Sequence, residues 1–300
     1  MRTMRFPRGL LLVCALITGR LTHAIESAGQ HLSDSESVAS FNQSSSSAVV
    51  QFYAMSDSPL GRRERLNFKD VFERMDRRQE FLVHLGDIHE RQLECDPQHF
   101  VDAAETMRHY SPFPTFVLPG DNDWYECVDQ WQAWLQWKHN FLSFQDHWPH
   151  QFDVVHQKER PENFVFLHKS VLFVGVHIVS ATVRDWDEWN AKVHDNTIWF
   201  KEQVESRWSD PSVGAIVLLS HAFPHHRRYR EFYNELVNVT STVTKPFLFV
   251  QGDLQQSVID RPFPSQHVLR VAVDKGGNAD PTEIQVNPLG DIPFRIKRRQ

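Results

Sequence analysis

The chain has 300 residues, a formal net charge of −6 at pH 7, 22 Phe and 9 Trp. That length buries a substantial core, and the aromatic content excludes a wholly disordered chain. Near-balanced charges leave no basic field, and the five-residue basic terminus IKRRQ is too short to make a nucleic-acid surface.

The chain opens on MRTMRFPRGLLLVCALITGRLTHA, with Arg2, Arg5 and Arg8 ahead of an apolar run from Gly9 to Gly19. Thr22 and Ala24 occupy the small-residue positions of a cleavage site, so residues 1–24 have the layout of a secretory signal peptide. The apolar run falls short of the ~20 residues a spanning helix needs. The expectation is a secreted protein, extracellular or in the secretory-pathway lumen, with no transmembrane segment after signal removal. Residues 25–47 are Ser-rich and poor in apolar side chains, the composition of a disordered linker. The folded domain is then expected over 48–300. Removal of the leader takes Cys14 and leaves Cys95 and Cys127, an even pair that predicts one disulfide in an oxidising compartment. The tripeptides at Asn42 (NQS) and Asn238 (NVT) are glycosylation acceptors in such a protein.

From Ala48 onward, apolar runs of strand length recur: AVVQFYAM, EFLVHLGD, TFVLPGD, NFVFLHK, VLFVGVHIVS, AIVLLSH, PFLFVQGD and HVLRVAVD. Most do not alternate, which is the pattern of strands covered on both faces. Between them HFVDAAETMRHY, CVDQWQAWLQWKHNFLSF, DNTIWFKEQVESRW and RRYREFYNELVNV place apolar residues three and four apart, as helices do. The stripe Trp131, Trp134, Leu135, Lys138 and Phe141 is expected to face the core. Alternating strands and helices define an α/β layered domain, and the close pair NFVFLHK–VLFVGVHIV adds a hairpin, so the sheets are mixed.

The first polar positions after these strands carry the chemistry: Asp57 in AMSDSP, Asp87 in HLGDIHE, Asp121 and Asn122 in LPGDND, His221 in LLSHAF and Asp253 in FVQGDL. Singly, each reads as a turn residue, a helix cap or a structural histidine. Together they are oxygen and imidazole donors at the carboxyl ends of strands, where open α/β sheets bind ligands. That donor set suits two divalent ions about 3.5–4 Å apart, acting on phosphorus. No G-x-S-x-G elbow, P-loop or dinucleotide glycine pattern is present to support other chemistries.

The order of FLVHLGD, PGDNDW and FVQGD, from about Val49 to Pro262, resembles the calcineurin-like metallophosphoesterases, in particular a divergent branch with GDxP, HLGD, PGDNEW and HGDxH motifs. The resemblance implies a four-layer α-β-β-α sandwich, one or two divalent ions (Mn, Mg, Fe or Zn) and a phosphate-ester substrate. It places Asp57 on the first metal, Asp87 between both, Asp121 or Asn122 and His221 on the second, and Asp253 in the slot of a motif histidine. Asp87, Asn122 and His221 take the catalytic positions. Departures concentrate at ligands: Pro59, Asn122, Gln251 and Gln255 stand where the family carries histidine. His89, His225 and His226 are candidate proton donors by proximity in sequence. Two functions follow: a secreted metal-dependent phosphomonoesterase or phosphodiesterase with a degenerate first-metal shell, or an inactive exported binding module on the same scaffold. Substrate choice falls to loops such as 181–200, where Arg184, Asp185 and Trp186 are candidate mouth residues.

Overall fold

The computed structural model describes residues 48–91, 94–224, 227–277 and 279–298. The leader, the Ser-rich segment, Asn42, His225 and His226 lie outside the described residues. Two sheets form the centre. One has the order β12-β11-β1-β2-β3, from β1 (Val50–Met55), β2 (Phe81–His84), β3 (Thr115–Val117), β11 (Thr282–Val286) and β12 (Phe294–Lys297). The other has the order β4-β5-β6-β7-β8-β10-β9, from β4 (Val155–His156), β5 (Phe164–His168), β6 (Val171–Gly175), β7 (Ala215–Ser220), β8 (Phe247–Gln251), β9 (Val258–Asp260) and β10 (Val268–Ala272). Both are mixed: β1, β2 and β3 run parallel, as do β6, β7, β8 and β10, with antiparallel strands at the edges.

The layering follows from the strand sequences. In β1, Phe52 and Ala54 point between the sheets and join Phe81, Phe116, Phe166, Phe173 and Val217 in the central core. Tyr53 and Met55 point the other way, onto α1 (Arg62–Glu73), α2 (Pro97–Tyr110) and α3 (Gln130–Phe141) through Phe68, Phe100 and Trp137. Likewise Leu218 and Phe249 leave the second sheet outward toward α4 (Trp186–Glu205) and α5 (Arg230–Thr242), meeting Phe200 and Phe232. Both faces of each central strand are dry, so the runs are continuously apolar. The result is the expected four-layer α-β-β-α sandwich.

Several elements differ from the sequence expectation. Helix α1 carries few apolar residues, burying only Phe68, Val71 and Phe72 on one stripe. Strands β11 and β12 lie beyond the last apolar run singled out in the sequence. They alternate more and less buried positions and are joined through the turn 287–293, closed by the Asn287 amide donating to Pro293 O (2.8 Å). The segment 181–200 is mostly helix: Asp185 accepts hydrogen bonds from the amides of Asp187 and Glu188 and starts α4 at Trp186. In α3 the stripe is rotated, with Ala133, Trp137 and Phe141 buried and Trp131 66% exposed, so Trp131 is not a core residue. Among the described residues, no helix is long and apolar enough to cross a membrane.

Candidate metal centre

Parallel register brings the polar positions together. Ala54, Val83 and Phe116 lie side by side in β1, β2 and β3, so the turns carrying Asp57, Asp87 and Asp121 leave the same end of the first sheet. Leu219 pairs with Val250 across β7 and β8, which puts His221 beside Asp253 at the end of the second sheet. The turns are bonded to one another: the Asp57 amide donates to Gly86 O (3.0 Å) and the Gly252 amide to His221 O (2.9 Å). Asp57, Asp87 and Asp253 all have positive φ, 56°, 56° and 62°. Left-handed backbone at a non-glycine residue is uncommon and tolerated best by Asp and Asn, so three strands bend sharply into the crevice in the same way. Gly120 is required by close approach, since a Cβ there would lie 2.1 Å from Asp87 Oδ1.

Asp87, Asp121 and His221 each offer a ligand atom, and these atoms lie within 4.8 Å of one another. His221 Nε2 is 3.1 Å from Asp121 Oδ1, 3.5 Å from Asp87 Oδ1 and 3.8 Å from Asp253 Oδ1. The ring is fixed from behind: Nδ1 lies 2.8 Å from Leu85 O, and since a carbonyl only accepts, Nδ1 carries the proton and Nε2 faces the carboxylates. The Ser180 hydroxyl lies within hydrogen-bonding distance of Asp253 Oδ1 (3.1 Å) and Asp121 Oδ1 (3.4 Å), tying a third carboxylate to the group.

Charge density perturbs the titrations. Burial pushes Asp87 well above the usual carboxylate range; the His221 charge opposes this, and the Asp121 and Asp123 carboxylates reinforce it. Burial disfavours a charged His221, yet Asp87 and Asp121 prevail and raise it well above an ordinary histidine. Burial also pushes on Asp121, but the His221 hydrogen bond and charge hold it below the ordinary value. Asp253 is raised, by burial first and by Asp121 among its neighbours.

The three oxygen-bearing side chains of the 121–123 turn divide the labour. Asp121 faces His221. Asn122 turns back on Asp87, its backbone N–H donating to Oδ1 (3.0 Å) and its side-chain amide to Oδ2 (2.6 Å). Asp123 is fully buried and accepts from the amides of Gly120, Asp87, Ile88 and His89 at 2.8 to 3.1 Å, clamping the β2 and β3 turns together. Sequence reasoning assigned no role to Asp123, Ser180 or His84. The last is a buried staple: its Nδ1 accepts from the Gly86 amide and its Nε2 donates to Ser58 O. A histidine in the middle of the apolar run FLVHLGD was the available signal.

Asp57 stands apart from the three-donor group. Its Oδ2 accepts from the Ser56 hydroxyl and from the Asp253 amide (3.2 Å), and its Oδ1 from the Gln255 side-chain amide (3.4 Å). His89 is buried against α2, with Nδ1 at 2.8 Å from Glu90 O and Nε2 at 3.1 Å from His99. It therefore offers no proton to the crevice, contrary to its candidacy from sequence. Arg184 donates to Cys127 O, and Asp185 caps α4. The Cys95–Cys127 disulfide is formed, linking the segments that follow the β2 and β3 turns.

A two-sheet α/β sandwich thus carries a carboxylate–imidazole crevice at its strand ends. The family model described as calcineurin-like phosphoesterase matches residues 52–259, and the chain belongs to that family. No curated protein matches it at a significant level. Solved structures that share the fold include two with a TM-score above 0.5. One is described as GAP50, the anchor in the inner membrane complex of Plasmodium, with 13% identity, TM-score 0.52, and 83% of this chain and 84% of that chain covered. The other is a 5'-nucleotidase from Candida albicans, with 12% identity and TM-score 0.53. The match takes in 83% of this chain and 51% of the nucleotidase, so the chain spans about half that protein's length.

The donors fit one divalent cation. Asp87 and Asp121 supply carboxylate oxygens and His221 an oriented imidazole nitrogen, a mixed set that suits zinc, iron or manganese. The Asp57 side fits a second ion poorly, because Asp57 lies outside the three-donor group and is met by a hydroxyl, a backbone amide and the Gln255 amide rather than by an imidazole.

Proposed function

We propose that the protein is a secreted phosphoesterase working with one divalent ion at Asp87, Asp121 and His221. The observation that carries this reading is the convergence of three ligand atoms within 4.8 Å, with His221 oriented by Leu85 O. A divalent cation held there supplies Lewis-acid stabilisation of the charge that develops on phosphoryl oxygens. Asp87 and Asp121 hold the cation, His221 completes the set, and Asp253 and Ser180 border the place where a phosphate ester would sit. Asn122 positions Asp87 through two hydrogen bonds and, being an amide, delivers no proton to a leaving group. The leader layout of residues 1–24 supports export, and the Cys95–Cys127 disulfide is of the kind that persists in oxidising compartments.

The test is metal analysis of the purified protein, followed by hydrolysis of an aryl phosphate after reconstitution with manganese, magnesium, zinc or iron. The expected result is about one ion per chain and metal-stimulated turnover. Absence of both refutes the reading.

A second reading has its own support. Asp57 is satisfied by hydroxyl and amide donors, and Pro59 and Gln255 stand beside it in place of motif histidines. A scaffold whose metal shell has been replaced by hydrogen bonds could serve as an exported binding module, and one fold neighbour is described as an anchor. No bound metal after dialysis, together with no turnover of any phosphate ester, would favour it, and about one bound ion per chain would count against it.

A further inference from the structure

Trp124 and Tyr125 follow directly on the 121–123 turn and, with residues of α3 and α4, line a second cavity of about 470 Å³. It shares no lining residue with the metal centre. The volume is within the range of small-molecule sites. Trp131 stands at its edge, 66% exposed. Charged groups of both signs are interleaved in the wall. Arg160 is held in place by Glu188 and by Asp195 (Nε to Oδ2, 2.9 Å), and its side chain is 17% exposed against 43% for Glu188. Asp185 is exposed beside them. Beneath the surface the fully buried Lys192 ammonium lies 4.4 Å from the Tyr125 ring centroid and 4.2 Å from that of Trp189.

These charges select against ionic ligands. Asp185, Glu188 and the buried Glu162 disfavour an anion, while Arg160 disfavours an organic cation. A purely apolar ligand would strip water from Arg160, Asp185 and Glu188 without replacing their hydrogen bonds. A zwitterion would find Arg160 already paired with Glu188 and Asp195, so what fits is a neutral molecule with one apolar face and many hydroxyls. We propose that this cavity binds a neutral saccharide, its C–H face laid on Trp131 and its hydroxyls bridging Arg160, Glu188 and Asp185. A fixed guanidinium–carboxylate pair presents donors and acceptors side by side, which matches adjacent hydroxyls that both donate and accept. The rings already held by the fold, Trp134 stacked on His177 at 5.5 Å, keep the wall rigid. The site is independent of the phosphoesterase reading.

The test uses the full chain and saturation-transfer NMR with the methyl glycosides of glucose, galactose, mannose and N-acetylglucosamine. Benzoate and tetramethylammonium serve as charged comparators. The expected result is transfer to the ring C–H protons of at least one glycoside, with affinity reduced about five- to tenfold in Trp131→Ala. Trp131 is exposed, so that variant should fold; circular dichroism checks it, and Glu188→Gln gives a second variant that should also weaken binding. The proposal is overturned if no glycoside binds, if either charged comparator binds in preference, or if binding survives both substitutions unchanged.

Discussion

The two halves of the crevice make an instructive pair. On the β2–β3–β7 side, Asp87, Asp121 and His221 bring three ligand atoms within 4.8 Å. On the β1–β8 side, Asp57 and Gln255 are bonded to each other, and Asp57 also takes the Ser56 hydroxyl and the Asp253 amide. Both halves carry a carboxylate on a positive-φ turn. The difference is what the carboxylate meets. Asp57 meets hydroxyl and amide donors, whereas Asp87 and Asp121 converge on an imidazole nitrogen, so that side offers three ligand atoms of mixed type to one cation.

Four measurements break or sharpen that contrast. Asp87→Asn should have the largest effect, lowering metal affinity by about 1,000-fold or more, ~4 kcal/mol, in a calorimetric titration. Retention of wild-type affinity would remove the better-built half from consideration. Replacing Cys95 and Cys127 together by Ser opens a link with a sequence separation of 32. In the chain-entropy model this should cost ~3–4 kcal/mol of unfolding free energy, measurable by denaturant titration. Because the bridge anchors the 121–123 turn, the same variant should also bind metal more weakly.

The pH dependence of the metal-free protein comes next. The raised His221 contributes stability that is complete below the unfolded value of about 6.5 and is lost as pH rises through its folded value. Asp87, also raised, works in the same direction but from lower pH. Its contribution declines above the unfolded value of about 3.9, because the folded state holds its proton after the unfolded state has released it. Asp121 is lowered, so its contribution is present above the ordinary value and disappears only in acid. The melting temperature should therefore fall with increasing alkalinity above about pH 6.5, and a saturating divalent cation should flatten that fall. A metal-free protein equally stable at neutral and alkaline pH would contradict the charge arrangement. The smallest effect is expected from Asp57→Asn, which should change metal affinity by no more than about 1 kcal/mol, roughly fivefold. A loss comparable to that of Asp87→Asn would show that the β1 side still holds an ion.

Much of this site was legible in the chain, because strand ends followed by Gly-Asp or a lone His are local signals. Asp57, Asp87, Asp121, Asn122, His221 and Asp253 all arrive at the same end of the sandwich, as the strand order demands. The division of roles among them was not legible. Asp121 and Asp123 are two residues apart and chemically identical, yet one faces His221 and the other is buried under four amides. His89 looked like a neighbour of the chemistry by numbering, but its ring packs beside His99 and Phe100. Trp131 and Trp137 share a helix and a residue type, and only the rotation of α3 exposes one and buries the other.

By itself the sequence determined the layering and the location of the site. Continuous apolar runs of strand length, bounded by turn residues and alternating with helical periodicity, mark strands covered on both faces, and the polar turns after them mark one end of the sheets. Tertiary structure decided what those turns do. Whether a carboxylate is a ligand, a clamp or a satisfied acceptor depends on the donors and charges within a few ångströms of its oxygens. Those come from β-strands as distant in sequence as Asp57 and Asp253, brought within hydrogen-bonding reach only by the closed sandwich.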